Sequence, residues 1–242
     1  NGFFFVPNAV GEDAMVEVDW RQRMVSAEWE KMQWPEGMNR GAGQFFMVGE
    51  PLFLAVERPE IVDMAKQVLG VDEVHIGACG LGDASKIVSA DGRLLQQVHW
   101  HADGGPDVKQ VSLRTALDRH DPSNAPLRVL PGTHLRPRDE VMEELRQVEI
   151  ATGRHNEMPE HFFAKHPHEI EVVLDPRWTL VWTPSCWHAT GVKTAAGPRR
   201  AMAWNYFPPG GRKRDLAALK HVVEGWEDWS EERKRLWGLL DD

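Results

Sequence analysis

The spacing of apolar positions changes character near residue 73. Before it they recur every three or four residues, and after it they alternate or run in short blocks. Over 12–33 the apolar positions Met15, Val18, Met24, Val25 and Trp29, with acids early, predict a helix. Residues 57–69 open near Pro59 and close at Gly70, as helix start and stop signals do. From 73 onward the strings VHIGA, LLQQVHWH, VKQVSLRTAL, LRVL, EIEVVL, WTLVW and RRAMAWNYF read as strands, separated by Gly, Pro, Asp and Asn clusters. A helix over 137–151 interrupts them, with Pro137 and acids at its start, and Trp-rich helices are predicted at 213–223 and 229–240. The pattern predicts a mainly β protein with flanking α-helices. Residues 1–72 form a mainly helical part packed on the β core, and 212–242 carry C-terminal helices. No repeat, low-complexity tract or linker divides the chain, so 1–242 reads as a single domain.

Composition narrows the function classes. The chain carries 28 basic and 37 acidic residues, a net charge of −9, with no basic run interleaved with aromatics, so nucleic-acid binding is not expected. The two cysteines, Cys79 and Cys186, imply no disulfide framework and a reducing, cytoplasmic setting. No apolar run reaches membrane length, so no membrane partner is expected. A small molecule is the expected partner. Monomer and homodimer both stay open, and the Trp226, Trp229 and Trp237 stripe reads as intramolecular core.

Candidate chemistry centres on His101-Ala102-Asp103. In an extended strand Gln97, His99, His101 and Asp103 share one face, so His101 and Asp103 can reach one ion. A third ligand has to come from a separate strand, and His188 is the candidate. Two imidazoles and a carboxylate form the facial triad of non-haem iron oxygenases, which leaves other coordination positions open. Plainer readings exist: a hydrogen-bonded polar pair for His101 and Asp103, and a satisfied core residue for His188. His134 reads as structural. His155, Glu157, His166, His168 and Glu169 read as solvated loop residues or part of a lid.

The segments HWHAD (99–103), RTALDRHDPSNAPLRVLPGTHL (114–135) and WHATGVKTAAGPRRAM (187–202), with a weaker match at NGFFFVPN (1–8), resemble the Fe(II)/2-oxoglutarate dioxygenases, and more narrowly the phytanoyl-CoA dioxygenase family. Ala125 and Thr133 stand where that family usually has glycine and serine. The resemblance implies a double-stranded β-helix, a jelly-roll or cupin-like core of eight strands, with the metal at its wide end. It implies Fe(II) on His101, Asp103 and His188, with 2-oxoglutarate and O2 as cosubstrates, a C–H hydroxylation, and release of succinate and CO2. Arg199, eleven residues after His188, would hold the distal carboxylate with Thr190. Arg114 stands where many relatives have tryptophan and belongs near the cosubstrate or the substrate. A carboxylate at 103, where related halogenases have glycine or alanine, favours hydroxylation.

The expected substrate is a small carboxylate-bearing molecule, such as a free or N-acylated amino acid. Gln97, His99, Lys86, Arg93, Trp100 and Arg128 are its candidate contacts, with Phe45, Phe46 and Trp204 as further apolar walls. The alternatives are a metal-dependent cupin enzyme without 2-oxoglutarate, and a non-catalytic jelly-roll binding protein.

Overall fold

The computed structural model describes residues 1–28, 31, 39–83, 98–105, 107–153, 161–211 and 215–240. Strand β1 (Phe3–Pro7) precedes four helices, α1 (Glu12–Glu28), α2 (Arg40–Val48), α3 (Glu50–Val56) and α4 (Pro59–Leu69). Then come β2 (His75–Asp83), β3 (Val98–His101), β4 (Val111–Ala116), β5 (Leu127–Val129) and helix α5 (Arg138–Ala151). Strands β6 (Ile170–Val172), β7 (Trp178–Trp182), β8 (His188–Thr190) and β9 (Arg200–Phe207) follow, and α6 (Leu216–Val222) and α7 (Glu231–Leu236) end the order. The strands form two antiparallel sheets, β1-β7-β4-β9-β2 and β3-β8-β5-β6. This is the expected mainly β core with flanking helices, a double-stranded β-helix.

Period-two alternation sorts the side chains into layers. The outer face of the five-stranded sheet, through Leu113, Val181, Met202, Trp204 and Tyr206, packs on Phe45, Leu52, Phe53 and Val56 of α2 and α3. Between the sheets lie Ala116, Leu127, Val129, Leu180 and Trp182. Behind the four-stranded sheet, α5 buries Val141 and Leu145 against Trp100, Leu130, Phe162 and Trp187.

Several expectations need correcting. Helices α2 and α3 were not predicted, because the Gly-rich opening of α2 hides its turn signal and Phe-Phe-Met-Val reads as a strand block. Strands β1 and β8 were missed too; β8 has only three residues and no period of its own. On α1 the buried positions are Val18, Gln22 and Val25, while Met24 is half exposed. The α4 boundaries hold: Pro59 opens the first turn and Gly70, at φ +66°, closes the last in the left-handed region that glycine tolerates. The C-terminal tryptophans are intramolecular core. Trp237 packs on Phe46 and Phe53, and its indole N–H donates to Glu57 at 2.7 Å.

Candidate active site

His101 ends β3 directly opposite His188, which begins β8, and the two ring centroids lie 4.3 Å apart. Asp103 follows two residues later, past the end of the strand. Nδ1 of His101 donates to the His99 carbonyl at 2.8 Å, and Nδ1 of His188 to the Cys186 carbonyl at 3.0 Å. A carbonyl can only accept, so Nδ1 carries a proton in both rings and Nε2 is the nitrogen turned toward Asp103. Each Nε2 lies 3.7 Å from an Asp103 carboxylate oxygen, too far for a hydrogen bond. Three donor groups therefore converge, all within 4.8 Å of one another, without bonding each other. That suits a ligand set better than a polar pair.

Burial first, and the charges of His101 and Arg114 after it, hold His188 below the ordinary histidine range, against the pull of Asp103. The ring is thus neutral at pH 7 and its Nε2 can ligate. Trp182 packs edge-on against it, with centroids 5.8 Å apart. Among the described residues, these three are the His, Cys, Asp and Glu side chains grouped closely enough to hold an ion. Two imidazoles and one carboxylate, with Asp103 still open on one side, fit Fe(II) with positions left for exogenous ligands.

The adjacent arginines part company. Arg200 points out of the barrel, paired twice with Asp118 and also with Asp19, which ties α1 to β9. Arg199 points inward and is 4% exposed; Nε and one Nη donate to the Ala125 carbonyl at 2.9 and 2.7 Å. Ala125, in place of the usual glycine, sits at φ +49°, a cost of about 1 kcal/mol for a residue with a Cβ. Thr190 shares the inner face of β8 with His188. The next residue, Gly191, donates to the Pro126 carbonyl, beside the Ala125 carbonyl that Arg199 grips, so both chains run past the same Ala125-Pro126 turn. Burial, then the nearby Arg114, pushes Arg199 down to about 9, and burial pushes Arg114 down to about 10. His120 lies among these cations. Burial and the charges of Arg114, Arg199 and Lys193 hold its imidazole down at about 2. Lys193 is fully buried and reaches the Asn124 side-chain oxygen. No sequence signal marked His120 or Lys193, since each is brought in by a loop.

Beside Asp103 a cavity of about 410 Å³ opens, lined by Gln110, Ser112, Trp182, Asn205 and Asp215 among others. Asn205 accepts the Ala78 N–H at 2.8 Å and Asp215 accepts the Cys79 N–H at 3.2 Å, where β2 bulges. Gly77 permits this approach, because a Cβ there would lie 2.3 Å from the Asn205 oxygen. These cavity residues were missed by sequence reasoning, since none belongs to a motif.

The remaining candidates distribute unevenly. Lys86, Arg93, Gln97, His155 and Glu157 lie outside the described residues. His99 stacks on His161 at 4.0 Å, next to His101. Trp100 and Arg128, expected at the substrate, lie on the outer face of their sheet instead, because each alternates with inward neighbours. Arg128 stacks over Trp100 and pairs with Glu169 at 2.6 Å. Phe45 and Phe46 belong to the helix-side core, and Trp204 touches the cavity from that side. His166 is buried and tied to Glu144 at 3.0 Å, not solvated.

The profile of the phytanoyl-CoA dioxygenase family matches residues 1–201. No curated protein sequence matches the chain. Among solved structures, AviO1 from Streptomyces viridochromogenes is similar at a TM-score of 0.62 and 19% identity, over 87% of this chain and 91% of that one. EctD from S. alaskensis with bound Fe gives a TM-score of 0.60 and 18% identity, over 88% and 75%. The epimerase SnoN in complex with Fe3+, alpha ketoglutarate and nogalamycin RO gives 0.61 and 15%, over 93% and 87%. At these identities the likeness to solved structures is one of fold.

Proposed function

Because the chain belongs to the phytanoyl-CoA dioxygenase family and is an Fe(II)/2-oxoglutarate-dependent dioxygenase, we propose that it hydroxylates a C–H bond of a small polar molecule held beside Asp103. His101, Asp103 and His188 hold the iron. Arg199 and Thr190 hold the distal carboxylate of 2-oxoglutarate. The observation that carries this reading is the pair of imidazoles anchored through Nδ1 to backbone carbonyls, with both Nε2 atoms turned toward Asp103.

When bound, the iron with 2-oxoglutarate and O2 supplies the oxidising chemistry, with release of succinate and CO2. The chain supplies position. The two backbone carbonyls orient the imidazoles, Trp182 closes the site behind His188, and Arg199 offers a planar guanidinium matched to a carboxylate. Gln110, Ser112 and Asn205 line the cavity with hydrogen-bonding groups, and Gln110 already donates to Ser112 at 2.7 Å, which leaves its oxygen as acceptor. The sequence favours a carboxylate on the substrate. Arg128 is spent on Glu169 and is not free to meet it.

An anaerobic titration with Fe(II) and then 2-oxoglutarate tests the assignment through the weak visible charge-transfer band of the chelate. We expect the band in the native protein, no band in Asp103→Ala, and a 10- to 100-fold higher 2-oxoglutarate Kd in Arg199→Ala, roughly the loss of a charge-assisted pair. Iron binding without a band in the native protein would sink the reading.

A further inference from the structure

One buried cation on the inner sheet face is not used by the site as assigned. Arg114 lies mid-strand on β4, opposite Leu180 of β7 and Ala203 of β9. Alternation puts it on the same face as Ser112 and Ala116, toward the barrel interior. On the β7 side it meets Leu180, but toward β9 and β2 that face carries only small residues: Ala201 and Ala203, with Gly82 and Gly80 opposite them. The side chain thus has small neighbours on that side and is not fully covered. Its Nε, however, is buried without a hydrogen-bond partner. A buried guanidinium N–H with no acceptor costs about 1–3 kcal/mol or more, so an interior of this kind is built for an occupant that supplies one.

Position decides which occupant. Ser112, one inward position toward the metal, lines the substrate cavity together with Trp182 and Asn205, but Arg114 does not. Along β4 it lies between Ser112, whose partner Trp182 packs on His188, and Ala116, whose partner Ala201 follows the Arg199-Arg200 pair. That is the stretch between the triad and the inward arginine. Two inward guanidiniums this close repel each other, and an anion with two acceptor oxygens relieves both.

We propose that Arg114 and Arg199 together form a two-guanidinium receptor for the distal carboxylate of the cosubstrate, one oxygen to each, so that Arg114 serves 2-oxoglutarate and not the substrate. This rests on the dioxygenase assignment above. The receptor selects a dicarboxylate: a 2-oxo acid without a distal carboxylate chelates through the same two groups but leaves the Arg114 Nε unmet. The single-arginine arrangement becomes a two-arginine one because arginine here replaces the tryptophan common among relatives.

The test is equilibrium binding without turnover, on the anaerobic Fe(II) protein, with 2-oxoglutarate, succinate and pyruvate as probes. Arg114→Met should leave iron binding unchanged and raise the Kd of both 2-oxoglutarate and succinate by about 10- to 100-fold. Pyruvate affinity should change little, and Arg114→Lys should fall between. The ligand-free Arg114→Met protein should melt no lower than the native protein, since it loses an unpartnered buried cation. If it fails to fold, Arg114→Lys carries the comparison by the ratio of 2-oxoglutarate to pyruvate affinity. Unchanged 2-oxoglutarate and succinate affinity in the variants would overturn the proposal and return Arg114 to the substrate. Failure of the native protein to bind 2-oxoglutarate at all would instead overturn the assignment on which it rests.

Discussion

Two arginines adjacent in sequence do opposite work because a strand turns successive side chains to opposite faces. Arg200 closes a charge network with Asp118 and Asp19, and burial elsewhere in the fold balances its cost; Arg199 carries its charge inward. His120, set among the same inward cations, has a consequence for stability. Its folded pKa of about 2 lies far below the value near 6.5 of an unfolded histidine. A depressed histidine pKa means the unfolded chain takes up the proton first. The contribution is therefore intact above about pH 6.5 and is lost as pH falls, at roughly 1.4 kcal/mol per unit. Chemical unfolding at pH 6.5 and 5.0 should show His120→Gln losing about 2 kcal/mol less over that interval than the native protein. Parallel stability curves for the two proteins would refute this.

At the scale of elements, a buried ion pair anchors the described residues that lead into β6, 161–169. Glu169 receives Arg128 from β5 on both oxygens and also accepts the His166 N–H, while Arg128 reaches the Phe163 and Ala164 carbonyls. Removing one partner of such a pair leaves a charge buried alone, at a cost of about 3–5 kcal/mol. Glu169→Gln should lower stability by that order. It should also raise amide exchange over residues 161–172, while β4 and β9 stay protected. Equal exchange across both sheets would mean the pair stabilises the whole fold and not this segment. The long strands and the capped helices α4 and α5 were legible in the sequence, because their periods and end signals are local. Strands β1 and β8 were not, since a three-residue strand such as His188–Thr190 is defined only by its neighbours β3 and β5.

Over the whole molecule, a helix layer, two sheets and α5 enclose one interior. We propose that residues 1–242 form a single domain, unfolding in one transition. Binding in that interior should stabilise it. At about 100 times Kd, iron with 2-oxoglutarate contributes roughly 2.7 kcal/mol, or about 5–10 °C in Tm for a chain of this size. A melt with and without ligands, and again after chelation of the metal, measures it; an unmoved Tm at concentrations that saturate the charge-transfer band would contradict it. The sequence by itself determined the β core with flanking helices, and it proposed the triad and the choice of Arg199. Ligand motifs, turn residues and periodicity are encoded within a few positions of each other. Only the tertiary structure decided that Trp100 and Arg128 face away from the site, that Arg114 lies between Leu180 and Ala203 on the inner sheet face, and that Asn205 and Asp215 border the cavity. Which residues share an interior depends on strand order and register, and those are settled by long-range packing and not by neighbours along the chain.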